Sequence, residues 1–512
     1  VTSQALSITN NVPNDGFSES LNGSVGGTSG GVTTNGGSFN LLAAAGTDNS
    51  AISVAIDTST AGDKAGNATL DFISDGTGTS GLGQTPLASQ DVAVTGQVFR
   101  LAQMDATPPI VTLNARVGDT ASQGLSIANT ATNDGFSEQL SVTARTDAGD
   151  VTSSGMIGGL INAGTSDTGV SVALDTSSAG AKSGSVTFSG ESDGTNTSGF
   201  TTNVSLTDQT VNVSGNVYRL AEASAHSPEP VVLGNVHVGD LSQAALTISN
   251  TAATDGFSEN LNASLGSTTG DATASGSFSG LAAGGSDSSS LVVGIDTSTA
   301  GAKSGTAALG LVSDGDGINS LGQTALAGQT VNISGNVYRL AQATVDNPLA
   351  FAFGNVHVGD SASQAVSLTN SATADAFSES LNASFGSASD ARIQNNGGSV
   401  GQLAAGDTDN SAMVVTVDTS AAGNVSGTQT LNFASDGTGT SGLGITGLPS
   451  QDLNVSASIT AGVYRLANPL VNNAQPLAFG NFREGDAVTS QALSITNNVP
   501  NDGFSESLNG SV

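Results

Sequence analysis

Apolar and polar residues alternate with a period of two along most of this chain, and helical spacing is hard to find. In Gln364-Ala365-Val366-Ser367-Leu368-Thr369-Asn370 the apolar Val366 and Leu368 interleave with Ser367 and Thr369. Leu6/Ile8, Leu125/Ile127, Leu246/Ile248 and Leu493/Ile495 repeat that pattern. So do Val211-Asn212-Val213-Ser214, Val331-Asn332-Ile333-Ser334 and Val415-Thr416-Val417. Clusters of Gly, Asn, Asp and Ser separate the runs and supply turns. Strands of about 5–8 residues at this spacing predict an all-β chain of antiparallel sandwiches, with roughly seven to nine strands in each.

The pattern recurs as whole modules. The string DGFSE or DAFSE lies around Phe17, Phe136, Phe257, Phe377 and Phe504, at steps of 119, 121, 120 and 127. V-[FY]-R-L-A places Arg at 100, 219, 339 and 465. [IVL]-D-T-S recurs at Asp57, Asp175, Asp296 and Asp418, and S-D-G at Asp75, Asp193, Asp314 and Asp436. Four markers in one order, about 120 residues apart, describe domains that each hold their own core rather than a solenoid of 20–50-residue units. Bounds set between each V-[FY]-R-L-A and the next Pro give modules 1–106, 107–226, 227–346 and 347–470, with 471–512 beginning another. The intervening stretches, such as Glu222–Pro228 and Gln342–Pro348, are expected to be short, semi-stiff linkers in an elongated rod.

Residues 488–512 repeat residues 1–25 letter for letter, although the internal copies differ at many positions. Two origins account for this: a window on a longer periodic chain, or one sequence traced around a repeating assembly. The first module lacks the segment that precedes the S-Q-A-x-S-x-x-N strand in the others. Either that segment was cut away or a neighbour's tail supplies the strand. The opening Val1-Thr2-Ser3-Gln4 has no Met and no charged-then-apolar leader, as expected of a mature product or an excised piece.

The run Pro348-Leu349 through Phe353-Gly354-Asn355-Val356-His357-Val358-Gly359-Asp360 to Asn370, interrupted at Ala350–Phe351, resembles the opening of the choice-of-anchor D repeats of bacterial surface proteins. These are similar to ASH-type (abnormal spindle and hydin) immunoglobulin-like domains. Residues 230–250 and 476–497 carry the motif well; 109–129 carries it less well, with Ala115-Arg116 in place of Val-His. The resemblance covers the first quarter of each module. It implies an immunoglobulin-like sandwich in an extracellular, structural or adhesive setting at a bacterial surface, and no catalytic residues.

Composition narrows the function. Eleven Lys and Arg against 43 Asp and Glu give a net charge of −32. Neither a nucleic-acid duplex nor an anionic membrane surface finds a basic patch to bind. No run of 18 apolar residues is present for membrane insertion. Without Cys there are no disulfides, thiolate metal sites or Cys nucleophiles, and without Trp the usual platform for sugars is missing. The three His are scattered: His226 lies in an expected linker, while His237 and His357 share a module position that Arg116 and Arg483 fill elsewhere. These predict surface or packing roles. No G-x-S-x-G elbow or phosphate loop stands in the right context, so no enzyme activity and no small-molecule substrate are expected.

Two constellations remain. Calcium is the one cofactor the sequence admits, with Asp75, Asp193, Asp314, Asp316 and Asp436 as candidate ligands, because hard cations take several oxygens from tight loops. The competing reading is an ordinary turn, since Asp-Gly tolerates positive φ. The second is an ion pair. Period two puts Phe17, Glu19 and Leu21 on one face, and a carboxylate between apolar neighbours needs a partner or an exit to water. Glu19, Glu138, Glu259 and Glu379 are therefore expected to meet Arg100, Arg219, Arg339 and Arg465, within a module or across the next joint. A strand twist that leaves both solvated is the alternative. Lys64, Lys182 and Lys303 align in a turn where the fourth module has Val425, which argues for exposed lysines rather than a covalent cross-link.

The sequence thus predicts a structural repeat protein of an extracellular bacterial filament, sheath or stalk. Its partner is expected to be itself, through tandem and lateral association of modules. The alternatives are the stalk of a large adhesin and a calcium-dependent binding array.

Overall fold

The computed structural model describes residues 3–347, 350–452 and 457–511. Pro348 and Leu349 of the resemblance, and the first two and last residues of the duplicated segment, lie outside the described residues. All regular elements among the described residues are strands. The chain divides into two compact units. The first is Val1–Leu220 with Ala252–Glu259 and Gly315–Gly322, and the second is Ala221–Thr251, Asn260–Asp314 and Gln323–Val512.

Within the first unit the second module shows the plan. One sheet runs Met104–Thr107, Ser122–Asn129, Thr165–Leu174, Val151–Gly155; the other runs Ile110–Arg116, Gln209–Tyr218, Gly180–Asp193, Gln139–Gly149. The alternation seen in the sequence fills the space between them: Leu125, Ile127, Val172, Val186, Phe188 and Val211 are all buried. In the second unit, separate cores form around Leu246, Leu291 and Val331 and around Leu368, Val415 and Leu431. These are tandem immunoglobulin-like sandwiches.

Two expectations need correction. The sheets are not wholly antiparallel: Ile110–Arg116 runs parallel to Gln209–Tyr218, with Arg116 opposite Tyr218. Val231–His237 and Ala350–His357 repeat this, placing His237 opposite Tyr338 and His357 opposite Tyr464. The expected linkers, in turn, are parts of the following modules. Ala102, Met104 and Ala106 already belong to the second core, and Ala343–Val345 pairs with Leu368–Asn370. His226 is buried, its ring between Gln329 and Glu229 at 2.7 and 2.6 Å. Residues on the near side of the bounds at 106/107, 226/227 and 346/347 thus share strands, core or hydrogen bonds with residues beyond them.

Turn chemistry accounts for a third marker. Asp57, Asp175, Asp296 and Asp418 each accept the amide of Ser59, Ser177, Ser298 and Ser420 at 2.9 Å, an Asx turn. The glycines that follow, Gly62, Gly180, Gly301 and Gly423, hold φ between 130° and 144°, open in practice only to glycine.

Among the described residues the first module has no counterpart of Met104–Thr107 or Ile110–Arg116. Its sheets are Gln90–Val98, Gly62–Asp75, Ser20–Thr28, Ser38–Leu42 and Gln4–Ala5, Ser53–Ile56, Val32–Thr34. Leu6, Ile8, Val92 and Val94 are only half-buried there, whereas their counterparts Leu125, Ile127, Val211 and Val213 are at most 1% exposed. Replacing Ile127 by Ala is expected to destabilise the second module by about 2–5 kcal/mol through the cavity it leaves. Ile8→Ala in the first module is expected to cost clearly less; urea unfolding followed by hydrogen exchange within each module compares the two.

Candidate functional site

The strictest repetition in the sequence lies in three loops, and the structure brings them together where one module meets the next. Each V-[FY]-R strand ends by pairing its arginine with the following DGFSE loop. The amides of Arg100, Arg219, Arg339 and Arg465 donate to the carbonyls of Phe136, Phe257, Phe377 and Phe504 at 2.7–2.8 Å. The amides of Glu138, Glu259, Glu379 and Glu506 return to the arginine carbonyls at 3.0 Å. The aromatic before each arginine packs on the phenylalanine of the loop: Phe99 on Phe136, Tyr218 on Phe257, Tyr338 on Phe377 and Tyr464 on Phe504, with centroids 5.5–6.0 Å apart and rings tilted.

The arginine side chains go to the aspartate of the loop rather than to its glutamate. Arg100–Asp134, Arg219–Asp255, Arg339–Asp375 and Arg465–Asp502 are 2.6–2.7 Å apart. Hydrogen bonding from Arg100 and from the Phe136 amide holds Asp134 below the ordinary carboxylate value, and Arg339, Arg465 and the matching amides do the same for Asp375 and Asp502. Each of these pairs is roughly a third or more exposed on both sides, so solvent screening leaves each a small contribution to stability.

The glutamates are more deeply placed: the side chains of Glu259 and Glu379 have no exposed surface, and Glu138 is buried. Groups of their own module support each one. Ser192 and Ser198 donate to Glu138 at 2.7 and 2.6 Å. Ser435 donates to Glu379 at 2.6 Å, and Ser441 donates to the other oxygen. Asn319 takes the place of the second serine in the third module, 2.7 Å from Glu259. In the first module Ser74 and Ser80 hold Glu19 below its usual value. The glycine after each S-D-G aspartate leaves the room this needs, since a Cβ on Gly437 would run into Ser441 Oγ and Glu379 Oε1.

A basic side chain from the preceding module completes the site at Glu259, Glu379 and Glu506, and the parallel strand positions it. Arg116 Nε lies 2.8 Å from Glu259 Oε1, and its other nitrogen donates to the Gly322 carbonyl at 2.7 Å. His237 Nε2 lies 2.9 Å from Glu379 and His357 Nε2 2.5 Å from Glu506. Glu259, Glu379 and Glu506 thus each meet a basic side chain, but from the strand that carries Arg116, His237 and His357 rather than from the arginine expected. The histidines read as surface or packing residues carry this contact. The signal was the shared position of Arg116, His237, His357 and Arg483. A further group escaped notice: Asn129, Asn370 and Asn497, ending each S-x-x-N strand, donate to the carbonyls of Glu138, Glu379 and Glu506 at 2.7–3.0 Å.

The S-D-G aspartates serve as turn anchors. Asp75 accepts from the Thr77 amide and hydroxyl at 3.0 and 2.5 Å, and from Asn22 and Gln84 at 2.8 and 2.6 Å. Thr77 and then Gln84 push it far below the usual carboxylate value. Asp436 meets Thr438 and Asn382, Asp314 meets Asn262 and Gln323, and Asp193 meets the Thr195 amide. Asp316 is exposed in its turn. The surrounding donors are N–H and O–H groups, the reverse of the oxygen shell a calcium ion requires. Among the described residues no three acidic or histidine side chains gather in a metal-holding group.

Removing the cation from a buried carboxylate strands its charge, so Arg116→Met is expected to lower the opening free energy at the Glu259 amide by about 3–5 kcal/mol in hydrogen exchange. Arg339→Ala, which breaks an exposed pair, is expected to cost under about 1 kcal/mol by the same readout. The His357 ring is raised above its ordinary value of 6.5, first by its hydrogen bond to Glu506 and then by the charge of that carboxylate. A folded value above the unfolded one stabilises fully below about pH 6.5 and is lost as pH climbs through the raised value. Proton NMR should therefore find His357 titrating above 6.5, and Glu506→Gln should return it toward 6.5.

No family model matches the chain, and no curated protein matches it. Among solved structures it is similar to the human desmocollin-1 ectodomain, with 11% identity over 88% of this chain and 76% of that one and a TM-score of 0.30. It is also similar to Drosophila N-cadherin EC1-4, with 10% identity over 90% and 95% and a TM-score of 0.25. A third is the Escherichia coli adhesin FdeC, with 15% identity over 71% and 99% and a TM-score of 0.20.

Proposed function

We propose that this chain is a structural repeat protein of an extracellular bacterial filament, sheath or stalk, and that its working part is the junction between modules. One observation carries the reading: the contacts that recur in module after module are those that fasten a module to the next. The aromatic pair, the arginine–aspartate pair and the cation on the glutamate all return at Arg339 and Arg465. Each sandwich keeps its own buried core, so load is borne by independent folding units linked through a repeated joint. The resemblance to choice-of-anchor D repeats supports a bacterial surface setting.

Stretching the full chain by atomic-force microscopy tests this. Unravelling one module of about 120 residues releases about 400 Å of chain. A sawtooth with steps near that length is expected; smooth extension without discrete steps is the outcome that sinks the load-bearing role. Antibody to the chain should label continuous fibres outside the producing cell if it builds a filament, separate points on the surface if it forms stalks, and the cell interior if the reading is wrong.

A further inference from the structure

The second module differs from the other three at one edge of its sandwich. In those three, Ser38–Leu42, Ser277–Leu281 and Ser399–Leu403 cover the strands Ser20–Thr28, Asn260–Gly270 and Ser380–Ala388. Among the described residues the matching strand, Gln139–Gly149, is met on that side by a single bridge, Leu140 to Ile161. Asp167 follows Gly155 by twelve residues, whereas Asp48, Asp287 and Asp409 follow Gly37, Gly276 and Gly398 by eleven. The extra residue comes with the pair Gly158-Gly159, and Asp167 takes the Gly158 amide at 3.0 Å, so the segment loops where the other modules have a strand. It leaves a groove of about 360 Å³ lined by Val142, Arg145, Gly155, Met156, Ile157 and Phe188. Met156 beside it is 82% exposed.

The groups along this edge are set for a further strand. Arg145 stands opposite Phe188, as Val25 stands opposite Leu70 and Leu265 opposite Leu309. The amides of Val25 and Leu265 turn outward, to the carbonyls of Gly37 and Gly276 at 3.4 and 3.1 Å. In the second module Gly155 holds that acceptor's place, but its carbonyl takes the Arg145 guanidinium instead, at 2.9 Å. The same ladder position turns the Arg145 amide toward the open side, and alternation does the same for Asp147 two residues on. Arg145 and Asp147 share one face, opposite the buried Phe188 and Val186. Among the described residues neither has an ion-pair partner; Asp147 takes the Ser153 amide at 2.7 Å. The matching positions elsewhere, Val25-Gly26-Gly27, Leu265-Gly266-Ser267 and Phe385-Gly386-Ser387, carry no charge.

We propose that this edge pairs with the same edge of a second copy of the chain, antiparallel about Thr146. Arg145 of each copy then stands opposite Asp147 of the other, so one contact makes two ion pairs, and the outward amides and carbonyls of both residues exchange main-chain hydrogen bonds. On the opposite face Thr146 meets Thr146, a favourable cross-strand pair. Sliding the register by two residues sets Arg145 against Arg145 or Asp147 against Asp147, so the charges admit one alignment. Inward-facing charges on an edge strand ordinarily keep other strands away. Here, opposite charges two residues apart make the strand complementary to itself and hostile to an edge that carries acids alone. The contact is two-fold and closes at two copies. It rests on the structural role proposed above and gives that role one lateral contact.

Sedimentation of the full chain over a range of concentrations is expected to show a monomer–dimer equilibrium. Arg145→Asp alone and Asp147→Arg alone should each weaken dimerisation at least tenfold, since each sets like charges face to face. Mixing the two variants, or combining both changes in one chain, should restore it, because opposite charges meet again; that rescue also tells lost pairing from lost folding. Since the chain has no cysteine, Thr146→Cys provides a second readout that tolerates weak binding. Residues directly opposed across an antiparallel pair lie within disulfide reach, so two copies should cross-link on oxidation. The cross-link should diminish when Arg145→Asp is also present. A monomer at every concentration with no cross-link overturns the proposal. So does a dimer indifferent to both charge changes, or one that tightens with Arg145→Thr, the result expected if the arginine only guards the edge. A chain that stays monomeric yet gives discrete steps under force loses this lateral contact alone. One that dimerises as described but extends smoothly keeps the contact and loses the load-bearing role.

Discussion

A carboxylate shut away from water, as at Glu259 and Glu379, constrains everything around it. Its desolvation has to be offset by hydrogen bonds and charge, or it would ionise poorly and pull the loops apart. The module that owns the glutamate supplies two donors, from the serine before the S-D-G aspartate and from the serine or asparagine closing that turn. The preceding module supplies Arg116 to Glu259 and His237 to Glu379. Glu379, whose side chain is fully buried, takes Ser435, Ser441 and His237 together. Where two modules both contribute to a buried carboxylate, that shared demand sets the joint, and the loops that meet it are accordingly the best-repeated strings in the chain. The exposed arginine–aspartate pair and the tilted rings reinforce that placement but do not dictate it.

The fold was open to reading because burial leaves a period-two trace: Leu125 and Ile127, or Val211 and Val213, alternate with polar neighbours and are all buried. What the trace lacked was the first strand of each module. Ala102, Met104 and Ala106 alternate too, but alanine reads weakly as core, and the nearby prolines looked like a linker. The parallel pair left no mark either, since Ile110–Arg116 has the same alternation whichever way its neighbour runs.

The site was half legible for a related reason. Placing Phe17, Glu19 and Leu21 on one face assumes a strand, yet the strand begins only at Ser20 and the residues before it form a loop. In a loop, neighbours four letters apart reach different partners, so arginine meets the aspartate of the motif and the glutamate turns inward. The need for a partner followed from the apolar setting; its identity did not. It comes from about 140 residues away, Arg116 to Glu259 or His237 to Glu379, and only the recurrence of a cationic residue at one module position announced it. The S-D-G aspartates were readable as turns before ligands, and in the structure Asp75 is held by the distant donors Asn22 and Gln84.

Charge gives these junctions their selectivity. At −32 overall, two surfaces of this chain brought together at random repel each other. Arginine is scarce, and Arg100, Arg116, Arg219, Arg339 and Arg465, five of the eight in the chain, are set against carboxylates at a junction. Attraction is therefore confined to the places where modules are meant to meet, and a slipped docking sets carboxylate against carboxylate. Salt weakens both sides of this balance unequally. It screens the repulsion between exposed acids and the partly exposed arginine–aspartate pairs, but hardly reaches Arg116 and Glu259, whose side chains are 15% and 0% exposed. Added salt should then loosen the choice of partner before it loosens the joint, because selectivity is held at the surface and cohesion in the buried glutamate.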